Sequence, residues 1–310
     1  VLDPDSMHNL PLPLISALKE HLDCQPLKIE KRLVSQDGTR KYLFSLASGR
    51  EIEAVFIPES GRGTVCVSSQ VGCVFNCPFC FTGTQAFEVN LTAGEIVAQI
   101  LAVKHDLREN PIHSDYAGIV THVVYMGMGE PLANEKNLYD SLALLMQNDG
   151  IGISRRRLTV STSGITPAIR RLGAEFPVNL AVSLHAALDD LRNQLVPINR
   201  KYPLADLRLC LNQYPLGKQR HITLEYIMLN GINDRSEDID ALAMFVNRER
   251  ERVNLIHFNP YPDSPFQGTP IDRINAFSQK LIALGIRVTV RKSRGQDIMA
   301  ACGQLKGSRK

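Results

Sequence analysis

Six short apolar, β-branched runs recur along this chain: GTVCVSSQ, THVVYMG, RRLTVSTSG, VNLAVSLH, HITLEYIML and VNLIHFNPY. Helical stretches lie between most of them. The clearest is LTAGEIVAQILAVKHDLREN, where Thr92 at the N-cap and Glu95 three residues on form a capping box. Ile96, Val97, Ile100 and Leu101 follow at helical spacing. IDRINAFSQKLIALG predicts another helix, closed by Gly285. Near-continuous apolar strands alternating with helices predict an α/β fold, a parallel sheet covered by helices. Six such units make a barrel or partial barrel, and IRVTV adds a last strand at its edge. An open doubly wound sheet is the structural competitor. In a βα-barrel the polar groups just after the strands (Gln70, Glu130, Ser161, Ser183, His185 and Asn259) gather at the C-terminal rim, where sites are built. Ahead of the first unit, residues 13–22 read as a short helix, followed by a loop and extended chain. KYLFSLASGREIEAVFIPE then supplies two β-rich runs around Ser48-Gly49, a hairpin signal.

With 310 residues, 44% of them hydrophobic, the chain accommodates one large domain, residues 51–310, after a small N-terminal region, residues 1–50. Lys and Arg number 35 against 32 Asp and Glu, and the net charge of +3 does not mark a nucleic-acid binder. Its distribution says more. Arg287, Arg291, Lys292, Arg294, Lys306, Arg309 and Lys310 meet only Asp297 at the C-terminal end, and Arg155, Arg156 and Arg157 form a second knot. Each cluster reads either as solvated surface or as a phosphate contact. No run approaches the ~18 consecutive apolar residues of a membrane span, and no secretory signal opens the chain. The opening Val1 is that of a trimmed or processed start.

Seven cysteines are an odd number, and four of them crowd into CVSSQVGCVFNCPFC, from Cys66 to Cys80. That pattern points to metal ligation in a reducing, cytoplasmic compartment rather than to a disulfide framework. Cys73, Cys77 and Cys80 follow the first barrel strand as C-x3-C-x2-C. Zinc would want four ligands, commonly as paired knuckles, and no second knuckle follows. A [4Fe–4S] cluster held by three thiolates keeps one iron open to chelate an amine and a carboxylate. The methionyl end of S-adenosylmethionine (SAM) carries both. YMGMGEP ends the next strand, but Leu132 breaks a dinucleotide fingerprint. Its glycines allow close backbone approach, and Glu130 is placed to accept from the SAM ammonium. Cys302, in RGQDIMAACGQL, has small neighbours, and Arg294 and Lys306 nearby favour its thiolate. A buried free cysteine is the plainer reading of that segment, and it is the one taken for Cys24 and Cys210.

The cysteine loop, with Phe79 before its last cysteine, resembles the radical SAM superfamily. CVSSQVGC, MGMGEP, STSG, SLH, NP and ACGQL, in this order, resemble the RlmN/Cfr family of radical SAM RNA methylating enzymes, over about residues 50 to 306. The resemblance implies a (β/α)6 partial barrel with a small N-terminal helix and hairpin extension and a C-terminal edge strand and tail. It implies methylation of an adenine ring carbon in RNA. Cys302 would carry a methyl group taken from one SAM. A second SAM on the [4Fe–4S] cluster at Cys73, Cys77 and Cys80 would yield a 5′-deoxyadenosyl radical that activates that methyl. Glu53 would remove the ring proton, and Cys66 would attack Cys302 to release the product, leaving a disulfide. The SAM contacts implied are Gly129, Glu130, Ser161, Ser183, Leu184, His185 and Asn259. RlmN-type members act on C2 of an adenosine in 23S rRNA and on some tRNAs, whereas Cfr-type members act on C8. SSQVGC, MGMGEP and RGQDIMAACGQL look closer to the RlmN type. Implied too are an electron donor such as flavodoxin or ferredoxin, a monomeric state, and an accessory region longer than residues 1–50. A non-catalytic zinc RNA-binding module is the reading from another class, and it predicts a colourless protein indifferent to Cys302.

Overall fold

The computed structural model describes residues 7–21, 27–112 and 119–307. It opens with α1 (Leu12–His21), the helix expected at 13–22, position 22 lying outside the described residues. Strands β1 (Lys28–Val34), β2 (Arg40–Ser45), β3 (Glu51–Glu59) and β4 (Arg62–Cys66) then pair antiparallel in turn. The β2–β3 hairpin is the one signalled by Ser48-Gly49. β1 is a strand where the sequence shows only extended chain, because its pairing partner, not its own residues, orders it.

The remaining elements alternate. A small ribbon, β5 (Gln70–Val71) with β6 (Val89–Asn90), precedes α2 (Ala93–Glu109), β7 (His122–Tyr125) and α3 (Glu135–Met146). β8 (Leu158–Thr162), α4 (Thr166–Glu175), β9 (Asn179–Ser183), α5 (Asp189–Leu195) and α6 (Leu204–Gln213) follow. β10 (Ile222–Met228), α7 (Ser236–Phe245), β11 (Glu251–His257), α8 (Ile271–Ala283) and β12 (Val288–Arg291) complete the chain. The capping box of α2 forms as read: Glu95 N donates to Thr92 Oγ1 at 3.2 Å, and Thr92 N donates to Glu95 Oε2 at 2.8 Å.

Ten strands form one sheet in the order β1-β2-β3-β4-β7-β8-β9-β10-β11-β12, parallel from β4 onward. A doubly wound sheet reverses its strand order at a switch point. This one never reverses, so the six βα units beginning at β4 wind one way as a partial barrel with β12 at its edge. Ile96, Ile100 and Val103 of α2, Leu138 and Leu142 of α3, and Ile274 and Leu281 of α8 press on the outer face of the sheet and are fully buried. Each such side chain contributes about 1.5–3 kcal/mol of transfer free energy.

The boundary read at residue 50 falls in the β2–β3 turn, and one apolar core runs through both sides of it, from Tyr42 and Phe44 to Ile52 and Ile100. Asp106 of α2 reinforces the join. It accepts from Arg40 Nη1 at 3.0 Å and Tyr42 OH at 2.8 Å, and it pairs with Arg32. Cys210 is a packing residue, buried with its thiol on Thr166 O. Cys24, Arg309 and Lys310 lie outside the described residues. Among those residues, no helix is long and apolar enough to cross a membrane.

Candidate active site

The chain leaving β4 is clamped before it reaches the cysteines. Ser68 N donates to Gln99 Oε1 at 2.9 Å, and Gln99 Nε2 donates back to Ser68 O at 3.0 Å. The β5–β6 ribbon then closes the base of the loop, so residues 73–80 fold over the C-terminal rim. Cys73, Cys77 and Cys80 share a cavity of about 160 Å³ with Glu130, Ser161, Ser183 and His185. Leu184 is not among its lining residues. That side chain is buried in the main core, and its carbonyl accepts from Arg192 Nε at 3.0 Å. Asn259 opens instead onto a smaller cavity of about 30 Å³, with Cys66 and Cys302.

Why the loop after β7 needs its glycine is a matter of contact. Gly129 has φ +94°, and an added Cβ would stand 2.5 Å from Gln70 Cβ and 2.9 Å from Gln70 N. The backbone passes that close because Gln70 Oε1 accepts from Glu130 N at 2.9 Å. Glu130 is buried, which raises its pKa. Its Oε2 accepts from Ser163 N at 2.8 Å and its Oε1 from Leu132 N at 3.1 Å, which oppose that rise and leave lone pairs toward the chamber. His185 sits in left-handed backbone at φ 58°. Its Nδ1 accepts from Ile227 N at 3.1 Å, so Nε2 bears the proton. Burial pushes its pKa down to about 3, and the ring is neutral.

Cys302 reaches this chamber from the far end of the chain. Its segment is sewn to the cysteine loop: Phe81 N donates to Gly303 O at 2.7 Å, and Thr82 Oγ1 to Leu305 O at 2.6 Å. Gln304 Nε2 donates to Pro260 O at 2.8 Å and Gln296 Nε2 to Asn259 Oδ1 at 2.6 Å, tying it to the loop after β11. Cys302 therefore lines both the three-cysteine chamber and the small cavity that holds Cys66. Both are free thiols, and burial pushes Cys66 up to about 12. Glu53 lies on the face of β3 shared with Val55 and Ile57, which line the Cys66 cavity, but it lines neither cavity itself. Lys41 Nζ stands 3.0 Å from its Oε1, and Lys306 N donates to its Oε2 at 2.7 Å.

Glu225 and Arg192 escaped the sequence reading, and Arg291 entered it only as part of the basic tail. Arg291 lines both cavities with Cys302, and Arg294 lines the smaller one with it. Charge on Cys302 pushes the Arg291 pKa up against its burial, with Glu225, Cys66 and Glu59 adding to the rise. Arg294 faces Asp37 at 3.9 Å, and the Lys306 ammonium lies over the Phe81 ring. Glu225 is buried beside Arg291, bound by Asn254 Nδ2 at 2.7 Å. Arg192 is fully buried and braces two strand-end loops through the carbonyls of Ser163, Ser183 and Leu184. Only Arg291 had a signal, its place at the end of IRVTV; nothing local marks the other two.

At the opposite end of the barrel, a cavity of about 810 Å³ is lined by Arg62, Arg156, Arg220, Arg252, Lys292 and Arg294, with Glu59 and Glu225 as its acids. Arg156 of the three-arginine knot and part of the basic tail thus meet at one opening. Met126, Glu225 and Arg291 line both this cavity and the three-cysteine chamber.

Residues 67–245 match the radical SAM superfamily. The chain is 47% identical over 305 residues to the dual-specificity RNA methyltransferase RlmN of Rhodospirillum rubrum, covering 98% of this chain and 71% of that protein. It belongs to the RlmN family of radical SAM methyltransferases. The RlmN protein of Paracoccus denitrificans is 46% identical, with 99% of this chain and 80% of that one covered. The crystal structure of a radical SAM methyltransferase from Sphaerobacter thermophilus superposes with a TM-score of 0.92 at 44% identity, over 98% of this chain and 88% of that one. RlmN-family enzymes use a [4Fe–4S] cluster and SAM, and the chamber fits such a group. Among the described residues, no three His, Cys, Asp or Glu side chains converge as ligands of one metal ion. Three thiols lining one space offer the donor set of a polynuclear cluster, in which each binds its own iron. Burial pushes Cys73 up to about 12 and raises Cys77 and Cys80, so their protons stay until a metal centre displaces them.

Proposed function

We propose that this RlmN-family enzyme methylates C2 of an adenosine in the peptidyl transferase centre of 23S rRNA, and C2 of the adenosine 3′ of the anticodon in some tRNAs. The observation that carries the reading is the pair of thiols, Cys66 and Cys302, in one cavity beside the three-cysteine chamber. C2 lies between two ring nitrogens, is electron-poor, and does not attack the methyl of SAM, so a carrier is required.

Cys302 is that carrier: its thiolate takes the methyl of one SAM by displacement, and S-adenosylhomocysteine leaves. Cys73, Cys77 and Cys80 would hold the cluster, which with a second SAM would supply a 5′-deoxyadenosyl radical. That radical would take a hydrogen atom from the methyl as 5′-deoxyadenosine, and the carbon radical left on Cys302 would bond to C2, the adduct giving back one electron. Glu130 accepts from the SAM ammonium, while Gly129, Ser161, Ser183 and His185 shape the rest of its chamber. Asn259 bounds it from the adjoining thiol cavity, and Leu184 acts from the core by fixing the strand end between Ser183 and His185. Glu53 takes the ring proton. The Cys66 thiolate then attacks the Cys302 sulfur. An S–S bond forms, the S–C bond breaks, and its electron pair with a proton completes the methyl group. The basic cavity supports phosphate contact by RNA, whose target base must leave its stack to reach Cys302. The catalytic groups fall within residues 51–310, with 1–50 as an accessory region. The enzyme works as a cytoplasmic monomer and draws electrons from a flavodoxin or ferredoxin.

The test uses cluster-loaded enzyme, SAM, a one-electron reductant and a 23S rRNA fragment, followed by mass spectrometry of nucleosides. 2-Methyladenosine is expected. 8-Methyladenosine would assign the Cfr-type reaction instead, and a colourless, zinc-loaded protein without product would overturn the enzymatic reading.

A further inference from the structure

One buried ion pair touches the Cys302 segment on both sides of the cysteine. Lys41 stands opposite Val55 in the β2–β3 register, which puts it diagonally beside Glu53 on the face that meets that segment. Its ammonium lies 3.0 Å from Glu53 Oε1 and donates to Met299 O at 3.2 Å. The other oxygen of Glu53 accepts from Lys306 N at 2.7 Å. Met299 and Lys306 flank Cys302, and Met299 is in left-handed backbone at φ 53°. Such a conformation persists in a non-glycine residue only where its surroundings hold it, and here the hold includes Lys41. The pair is nearly dry, with side-chain exposures of 12% for Lys41 and 7% for Glu53. A structural ion pair on the surface of a hairpin would need none of these contacts.

We propose that Lys41 is a positioning residue of the methyl transfer, holding the Glu53 carboxylate and the segment that presents Cys302 in one frame. The inference rests on the roles of Cys302 and Glu53 given above. In the step it serves, the ring adduct gives up its unpaired electron to a one-electron acceptor, balancing the electron taken in by reductive SAM cleavage. The proton of the ring carbon passes to a Glu53 oxygen while the electron pair of the C–H bond stays with the ring. The charged groups acting on Glu53 are Lys41 from β2 and Glu51 from β3 itself, with the Lys306 N–H from the tail. Burial raises the Glu53 pKa, and Lys41 is the largest influence opposing that rise. Without Lys41 the carboxylate ionises only at higher pH, so proton removal shifts upward in pH.

The experiment compares cluster-loaded wild type, Lys41→Met and Lys41→Arg. Iron content, melting temperature and methylation of Cys302 serve as folding controls, and the covalent RNA–enzyme adduct is followed on denaturing gels across pH. Lys41→Met is expected to keep the methyl on Cys302 and to prolong the adduct at pH 7 by about tenfold, the equivalent of one pKa unit. Its decay profile moves to higher pH, and Lys41→Arg restores most of both effects. Unchanged adduct lifetime and pH midpoint in Lys41→Met would overturn the proposal. If the wild type itself makes neither adduct nor methylated RNA, the functional reading fails instead. A second arm then decides the frame alone: iodoacetamide should alkylate Cys302 several-fold faster in Lys41→Met protein loaded without SAM, and an unchanged rate there rejects it.

Discussion

The two cysteine sites of this enzyme are built in opposite ways. Cys73, Cys77 and Cys80 come from one short loop after β4, and a ribbon and a glutamine clamp suffice to aim them into a common chamber. The thiol cavity a few residues away draws Cys66 from the end of β4, Arg291 from the end of β12 and Cys302 from the tail, with Glu53 of β3 close by. A ligand set on one loop is fixed by local chain geometry, so it tolerates change elsewhere. A set gathered from four elements exists only while the whole sheet and its tail are docked. That difference suits the division of labour proposed above, in which the cluster is held permanently and the carrier segment hands its adduct to a second thiol.

The sharpest break is Cys77→Ala. It removes iron, and with it both the methyl on Cys302 and the methylated RNA, as iron analysis and mass spectrometry of peptide 295–306 will show. Next, Cys302→Ala keeps iron and SAM cleavage but makes no methylated RNA, whereas Cys66→Ala completes the carbon–carbon bond and stalls as an RNA–protein adduct. If Cys66→Ala released product normally, the two thiols would not form a pair. Arg291→Gln removes the positive charge that most opposes the burial-driven rise of the Glu225 pKa, so Glu225 ionises only at higher pH, and it slows methylation of Cys302 while leaving iron content at the wild-type level. The mildest change is Gly129→Ala, which strains the loop by about 1–3 kcal/mol and weakens SAM binding to loaded enzyme, measured by spectroscopic titration.

Much of the scaffold was legible from the chain. The βα alternation, the capping box at Thr92 and the hairpin at Ser48-Gly49 all rest on neighbours within a few residues, and all recur in the structure. The same holds for the cysteine loop and for Glu130, whose strand-end position follows from the period of the pattern. What stayed hidden was joined through space. β1 looked like extended chain because only its pairing with β2 makes it a strand. The doubly wound alternative fell only to the strand order. Leu184 and Asn259 were grouped with the chamber by motif, yet one packs in the core and the other opens onto the thiol cavity.

Family and chemistry were thus written in the amino acids themselves, since thiolate spacing and strand-end carboxylates are local properties that no fold can alter. Tertiary structure alone decided that Arg291 shares both cavities with Cys302, that Lys41 ties Glu53 to the tail, and that scattered arginines share one opening. Those are contacts between residues distant in the chain, and their partners are selected by burial and docking geometry rather than by any pattern along the backbone.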